Sequence, residues 1–401
     1  MGFSKNFYLF SITILTIVFS DVQADVSERQ FLFGDWDGRR ATWEEKGLTF
    51  ENVITYDLLS VRNGGIKHGE IGLGNLDLTA ALDTSKAKLW EGGTFFMYFL
   101  GNAGAQPSEW IGDTQGADNI QAPETLKLYE FWYDQSFFDG KVSFLVGLHD
   151  YNSEFDALDY GGNLINSSFG ITVDISQVGP SIFPTTSLAG RLKFQPNDNF
   201  YVQAAVYDGT PGDPNDDRGT QVILKSSDGL FYAAETGLVS SEDAPHYKAA
   251  LGGWYHTTDF EDFNGVSQDN NGGIYVIGES SIYQEEDTEQ GLGIFFQSSF
   301  THSDRNQIGS YYGLGFSYTG LIQGRDSDIL AFGFNTAFNG NGFRSANPDL
   351  DKSEKVLELN YHLSITPYLT ITPDVQYIIN PGTDPELEDA VVFIIRTEVA
   401  L

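Results

Sequence analysis

Gly309-Ser310-Tyr311-Tyr312-Gly313-Leu314-Gly315-Phe316-Ser317-Tyr318-Thr319 reads, from Tyr312 onward, large, small, large, small. Tyr312, Leu314, Phe316 and Tyr318 alternate with Gly313, Gly315, Ser317 and Thr319. A β-strand sends successive side chains to opposite faces, so this stretch carries one greasy face and one small, polar face. The pattern recurs. Leu330, Phe332, Phe334 and Phe338 interleave with Ala331, Gly333, Asn335 and Ala337; Leu357, Leu359, Tyr361, Leu363 and Ile365 interleave with Glu358, Asn360, His362, Ser364 and Thr366. Many such strands in series, rich in aromatics on the greasy side, mark a barrel whose outer face meets lipid.

Working outward, strands are expected near 48–62, 68–83, 93–103, 125–137, 141–151, 187–195, 199–207 and 229–240. A second set is expected near 246–258, 273–283, 290–303, 309–319, 327–338, 354–366, 368–379 and 389–401. A poorer stretch at 220–226 is left out, because a closed antiparallel single-chain barrel favours an even strand number. The predicted fold is therefore all-β: a 16-stranded antiparallel transmembrane β-barrel over 48–401 with a short N-terminal helical segment. Short turns at Asp139-Gly140, Asn197 to Asn199, Asp228-Gly229 and Thr366 to Tyr368 suit the periplasmic end. Longer connections at 104–124, 152–186, 208–228, 259–272 and 339–353 suit the outer end. Residues 152–186 are long enough to need a purpose, and Asn166, Ser167 and Phe169 are predicted to sit on a loop folded into the lumen.

The N-terminus reads as an address: Lys5, an apolar run from Phe7 to Ser20, and Val22-Gln23-Ala24 before Asp25, giving a signal peptide over 1–24. Residues 25–47 read as a periplasmic helical segment, with Asp35 as a cap, Trp36 and Trp43 on one side, and Gly47 as the stop. It serves as a plug packed under the sheet or as a gate at the pore exit. Past Ala24 no apolar run reaches the ~18 residues of a spanning helix. The 31 Phe and 20 Tyr are instead spread through alternating strands, where hydropathy averages out.

With no cysteine, thiolate catalysis and Cys-ligated metals are excluded. Asp and Glu number 56 against 22 Lys and Arg, a net charge of -34, which leaves no basic face to neutralise nucleic acid. Acidic residues gather at 213–217, 285–289, 349–351 and 384–389. They read as solvated loops, or as oxygen-rich clusters bridged by divalent cations to anionic outer-membrane lipid. The six histidines, His68, His149, His246, His256, His302 and His362, are scattered, and neither a Gly-x-Ser-x-Gly elbow nor a His-Glu-x-x-His pair is present. No cofactor, metal or catalytic constellation is predicted. His149-Asp150 at a strand end is the best foothold for an outer-membrane hydrolase, a remote alternative.

Parity assigns the faces. On 68–83, Leu76, Leu78 and Leu82 face lipid, placing Asn75 and Asp77 inside. On 125–137, Tyr129, Phe131 and Tyr133 face out, placing Glu130, Trp132 and Asp134 inside. On 187–195, Leu188, Leu192 and Phe194 face out, placing Arg191 and Lys193 inside; Glu235, His149, Lys248 and Trp254 come out luminal by the same count. A one-residue bulge inverts any such assignment. Scarce inward cations opposite carboxylates set a transverse field. Arg forks and carboxylates pair with vicinal hydroxyls, and an aromatic face such as Trp132 stacks on a sugar ring. Polar residues that merely hydrate a wet barrel are the alternative.

Several blocks then carry a resemblance: Gly34-Asp35-Trp36-Asp37-Gly38, Gly74-Asn75-Leu76-Asp77-Leu78, Gly92-Gly93-Thr94-Phe95-Phe96, and Ile111-Gly112-Asp113 through Asn119-Ile120. Leu128-Tyr129-Glu130-Phe131-Trp132-Tyr133, Ile165-Asn166-Ser167-Ser168-Phe169-Gly170, Gln203-Ala204-Ala205-Val206-Tyr207-Asp208-Gly209 and Gln376-Tyr377 through Pro381-Gly382 continue it in order. In these the chain resembles the carbohydrate-selective porin family typified by OprB. The resemblance implies a 16-stranded outer-membrane barrel passing small sugars, glucose-like monosaccharides above all, by passive diffusion through a charged, aromatic-lined constriction. It leaves monomer or homotrimer open. The sequence departs from barrel habit at its end, Thr397-Glu398-Val399-Ala400-Leu401, which lacks the usual terminal aromatic. The acidic excess favours the rival reading, a general, weakly cation-preferring pore without a sugar site. An adhesin built from the acidic loops has no motif behind it.

Overall fold

The computed structural model describes residues 29–216, 218–241, 244–286, 288 and 290–401. The expected signal peptide and the start of the following segment lie outside the described residues. Sixteen strands run in chain order: β1 (Leu48–Asn63), β2 (Gly69–Asp83), β3 (Gly93–Gly104), β4 (Thr125–Phe137), β5 (Val142–His149), β6 (Ser187–Asn197), β7 (Phe200–Asp208) and β8 (Leu230–Val239). They continue as β9 (Tyr247–Glu261), β10 (Ser267–Gln284), β11 (Gly291–Thr301), β12 (Ile308–Thr319), β13 (Ile329–Asn339), β14 (Ser353–Thr366), β15 (Leu369–Ile379) and β16 (Ala390–Ala400). Each pairs antiparallel with its neighbours in sequence, and β1 closes on β16 from Val53↔Ala400 to Asn63↔Val391. Closure satisfies every edge strand, which is what allows a sheet to sit in hydrocarbon. Among the described residues no helix is long and apolar enough to cross a membrane.

The alternation from Tyr312 to Thr319 is visible in β12. Leu314 is 50% exposed on the outside, whereas Tyr311 is fully buried inside. Outward rings contact across strands: Phe300 and Phe338 each meet Tyr312 edge-on, with centroids 5.7 and 6.1 Å away.

Four expectations need correcting. The 220–226 stretch is indeed not a strand, but Asp228-Gly229 is no periplasmic turn; it closes the 209–229 connection on the outer side. The expected 259–272 connection is mostly strand, because β9 and β10 extend into a hairpin pairing Ser267 with Glu261. Tyr129 does not face lipid. The β3–β4 register passes from Tyr98↔Glu130 to Phe99↔Leu128, so Tyr129 is an extra residue turned inward, its hydroxyl donating to Asp150 Oδ2 at 2.6 Å. At the N-terminus, α1 (Arg39–Glu44) has Gly38 at its cap position with φ 81°, a backbone that favours glycine. Asp35 still accepts from the Ala41 amide at 3.0 Å.

This segment is fastened to the chain's other end. Arg40 is buried, with its guanidinium 3.5 Å from the Phe31 ring centroid, and it donates to the Leu401 carbonyl oxygen at 2.8 Å.

The main departure from a simple wet barrel is inside. Tyr151, Phe155, Leu158, Leu164, Phe169 and Ile175, all from the 150–186 connection, pack against inward Tyr207, Phe231, Trp254, Tyr275 and Phe295. A second apolar cluster joins Ile111, Ala117 and Ile165 to inward Leu59, Val61, Val356, Ile378, Val392 and Ile394. Two connections therefore fold into the lumen and carry their own core with them. The 105–124 connection, expected at the outer end with no part in the lumen assigned to it, is one of the two.

Candidate pore constriction

The in-folded connections are held by wall carboxylates that accept from their backbone. Glu358 on β14 takes the Ile165 and Asn166 amides at 2.5 and 3.0 Å. Glu279 on β10 takes those of Asp159 and Tyr160 at 3.1 and 2.9 Å. Glu354 on β14 takes those of Thr114 and Gln115 at 2.8 and 3.0 Å. A carboxylate with two oxygens matches two successive N–H groups, so one side chain satisfies amides that would otherwise be buried unpaired.

Small wall residues make the space. A Cβ on Gly333 would lie 2.5 Å from Leu164 and from the Phe169 ring, and one on Gly293 would lie 2.1 Å from the Tyr160 ring. The small face of the strands is thus small partly because loop aromatics seat against it, not only because it faces water.

Within the 150–186 connection, α2 (Ser167–Gly170) is capped by Asn166, whose side chain accepts from the Ser168 amide. Phe169 is fully buried, and Gln297 donates to its carbonyl at 3.1 Å while Tyr311 donates to that of Ser168 at 2.6 Å. Of the predicted loop residues, Asn166 and Phe169 are therefore anchors, and Ser167 alone keeps partial exposure. Asp156 receives the Thr172 amide and hydroxyl at 2.9 and 2.7 Å; burial pushes its carboxyl up to about 8 against those bonds. Burial likewise pushes Asp174, which Ser299 bonds, and Asp150, which Tyr129 bonds, up to about 6.

On the opposite wall the loop leaves side chains open. Of the predicted residues on this side, Asp77 on β2, Trp132 on β4 and Lys193 on β6 keep partial exposure, whereas Asn75, Glu130 and Arg191 on the same strands are buried. Asp77 accepts from Asn75 at 2.6 Å and from the Tyr98 hydroxyl at 2.5 Å. Trp132 stacks on Phe96 with centroids 4.8 Å apart and planes 23° from parallel, both rings half-buried. Glu130 is buried and accepts from Trp132 Nε1 at 3.1 Å and from the Asp150 amide at 3.0 Å. It fixes the indole rather than facing the channel.

Arg191 is only 4% exposed; it pairs with Glu154 of the loop at 2.7 Å and approaches Asp134 at 3.5 Å. Lys193 stays half-buried, its Nζ 5.4 Å from the Tyr201 ring centroid. Glu235 does not join this group. It is 1% exposed beneath the loop and accepts from Tyr201 and Tyr275, each at 2.6 Å, and from the Asp156 amide at 3.2 Å. Trp254 is covered too, stacked on Phe231 with centroids 5.8 Å apart. His149 is buried against Tyr207, with Nδ1 3.0 Å from its hydroxyl.

Sequence reading missed Phe96 and Tyr98, although outward Met97 and Phe99 place both inside by the same parity. It also missed Arg396 on β16, whose guanidinium donates to Asp57 at 2.7 Å, Asn119 at 2.7 Å and Asp118 at 3.3 Å, tying the 105–124 connection to the barrel seam.

A closed 16-stranded barrel with a greasy exterior, in-folded loops and a charged, aromatic strip on the inner wall defines an outer-membrane diffusion channel of the porin class. The chain belongs to the carbohydrate-selective porin, OprB family, whose model matches residues 67–401. It is 23% identical to Porin B of Pseudomonas aeruginosa over 92% of this chain and 91% of that protein. It is 24% identical to a putative porin, QuiX, of Acinetobacter baylyi over 90% and 91% of the two chains. The high-pH structure of Pseudomonas putida OprB superposes with a TM-score of 0.84 at 20% identity, covering 94% of this chain and all of that one. The low-pH structure of Pseudomonas putida OprB gives 0.61 at 18% identity over 94% and 99%. The protein is accordingly a bacterial outer-membrane β-barrel of the carbohydrate-selective porin family, and family and fold together point to a channel.

Proposed function

We propose that the channel passes glucose-like monosaccharides by diffusion along the strip formed by β2, β3, β4 and β6. The observation that carries this reading is the half-exposed Phe96–Trp132 stack, flanked by Asp77, Asp134, Lys193 and the Arg191–Glu154 pair. A sugar ring offers a C–H face to the indole while its rim hydroxyls bond the carboxylates and cations on either side. The loop-covered wall supplies the narrowing that presses the solute against this strip. Weak, multiple contacts of this kind speed entry without trapping the solute.

Liposomes containing the purified protein test it by swelling in glucose, in an amino acid of similar size and in a disaccharide. Glucose is expected to enter fastest, and its advantage is expected to fall about fivefold in Trp132→Ala, taking the ~0.5–1.5 kcal/mol of a ring contact as the scale. Arg191→Ala is expected to lower glucose entry and raise cation preference, since Glu154 and Asp134 lose their partner. Entry ordered by size alone in the wild type would leave a general pore, the reading that the net charge of -34 favours.

A further inference from the structure

We propose that Asp159, His246 and Glu279 form a binding site for a divalent transition-metal ion of the zinc class, one that ties the inner loop to the barrel wall. The three residues come from separate elements: Asp159 from the in-folded connection, His246 from the turn before β9, and Glu279 from β10. Their donor atoms all lie within 4.8 Å of one another. His246 Nε2 is 2.9 Å from Glu279 Oε1 and 3.7 Å from Asp159 Oδ2. With metal–ligand bonds of about 2.0–2.2 Å, donor atoms sharing one ion sit roughly 2.9–3.5 Å apart; the 2.9 Å His246–Glu279 spacing already fits, and the Asp159 carboxylate has to move inward, by up to about 1.3 Å at the 4.8 Å limit.

The supports for such a site are in place. Glu279 is fixed from behind by the Asp159 and Tyr160 amides. The His246 carbonyl accepts from the Ser281 amide at 2.7 Å, and Tyr160 meets the imidazole edge-on at 5.3 Å. Asp159 is 84% exposed and free to swing the remaining distance. In the metal-free arrangement the imidazole N–H donates to Glu279; an ion takes the place of that proton, a substitution open to imidazole with carboxylates. The site faces a polar chamber of about 330 Å³ on the periplasmic side of the loop, which gives an ion from solution a way in. Lys193 and Lys248 line the same chamber and oppose a second positive charge, so micromolar rather than nanomolar binding follows.

The occupied site adds a bond between the in-folded loop and the wall, beside the luminal chamber that Lys193 and Lys248 line. The full-length protein in detergent micelles, titrated with zinc chloride by calorimetry, tests this. One micromolar site per chain is expected, weakened by about tenfold or more in both His246→Gln and Asp159→Asn. Magnesium is expected not to compete, and micromolar zinc to lower single-channel conductance in the wild type but not in His246→Gln. No zinc binding, binding unchanged in His246→Gln, or equal competition by magnesium would each overturn the proposal. Asp159→Asn, at an exposed loop position, guards against misfolding of the turn variant.

Discussion

The two walls of the lumen carry similar residues at the same strand parity and use them differently. On β2 to β6, Asp77, Phe96, Tyr98, Trp132 and Lys193 remain partly open to the channel. On β8 to β14, Glu235, Trp254, Glu279 and Glu358 lie under the 150–186 connection, where carboxylates bind loop amides and the indole stacks in a core. Facing the lumen is therefore not the same as facing water. What separates the two walls is the path of one long loop, and that loop is held by backbone-to-carboxylate bonds and by rings seated over glycines such as Gly293 and Gly333.

The largest way to break the difference is to release the loop. Glu358→Ala leaves the Ile165 and Asn166 amides buried without acceptors, at ~1–3 kcal/mol each. Hydrogen exchange at 163–170 should rise by two orders of magnitude or more, and single-channel conductance should increase, while the barrel strands keep their protection. Unchanged protection at 163–170 would mean that the apolar cluster holds the loop without the carboxylate.

A gentler handle is pH. Burial raises Asp156 to about 8 and Asp174 to about 6, so the docked loop prefers both protonated. A carboxyl raised in this way contributes its full stabilisation below its ordinary value of about 4 and loses it progressively as pH rises to the folded value. Loop protection, corrected for intrinsic exchange, should thus fall between pH 5 and pH 8 and level off above it. Asp156→Asn, which mimics the protonated form, should remove most of that slope; an equally steep slope in the variant would assign the effect elsewhere.

Strand number, order and most faces were legible because alternation over ten or more residues is a local signal that a closed sheet must obey. The exceptions are equally physical. Tyr129 turned inward because a single extra residue against Tyr98 resets parity, and nothing in the run Leu128 to Tyr133 announces a bulge. The hairpin at Glu261 and Ser267 ran longer than expected because polar strand ends beyond the membrane lose the greasy face that marks a strand. On the inner wall, parity turned Asn75, Asp77, Trp132 and Lys193 inward, and applied to β3 it would have turned Phe96 and Tyr98 inward as well. It could not show that Glu235 and Trp254 are covered, since covering depends on contacts between residues 79 and more positions apart, such as Asp156 with Glu235. Asn166 and Phe169 were placed on the right loop, but their role as anchors needed Glu358 and Gln297 as partners.

The most direct test of the two-wall account compares its two inward tryptophans. Single-channel current is recorded with rising glucose in the wild type, Trp132→Phe, Trp132→Ala and Trp254→Phe. Sugar-induced current block is expected in the wild type, reduced in Trp132→Phe, lost in Trp132→Ala and retained in Trp254→Phe. Block that survives Trp132→Ala but disappears in Trp254→Phe would contradict the account.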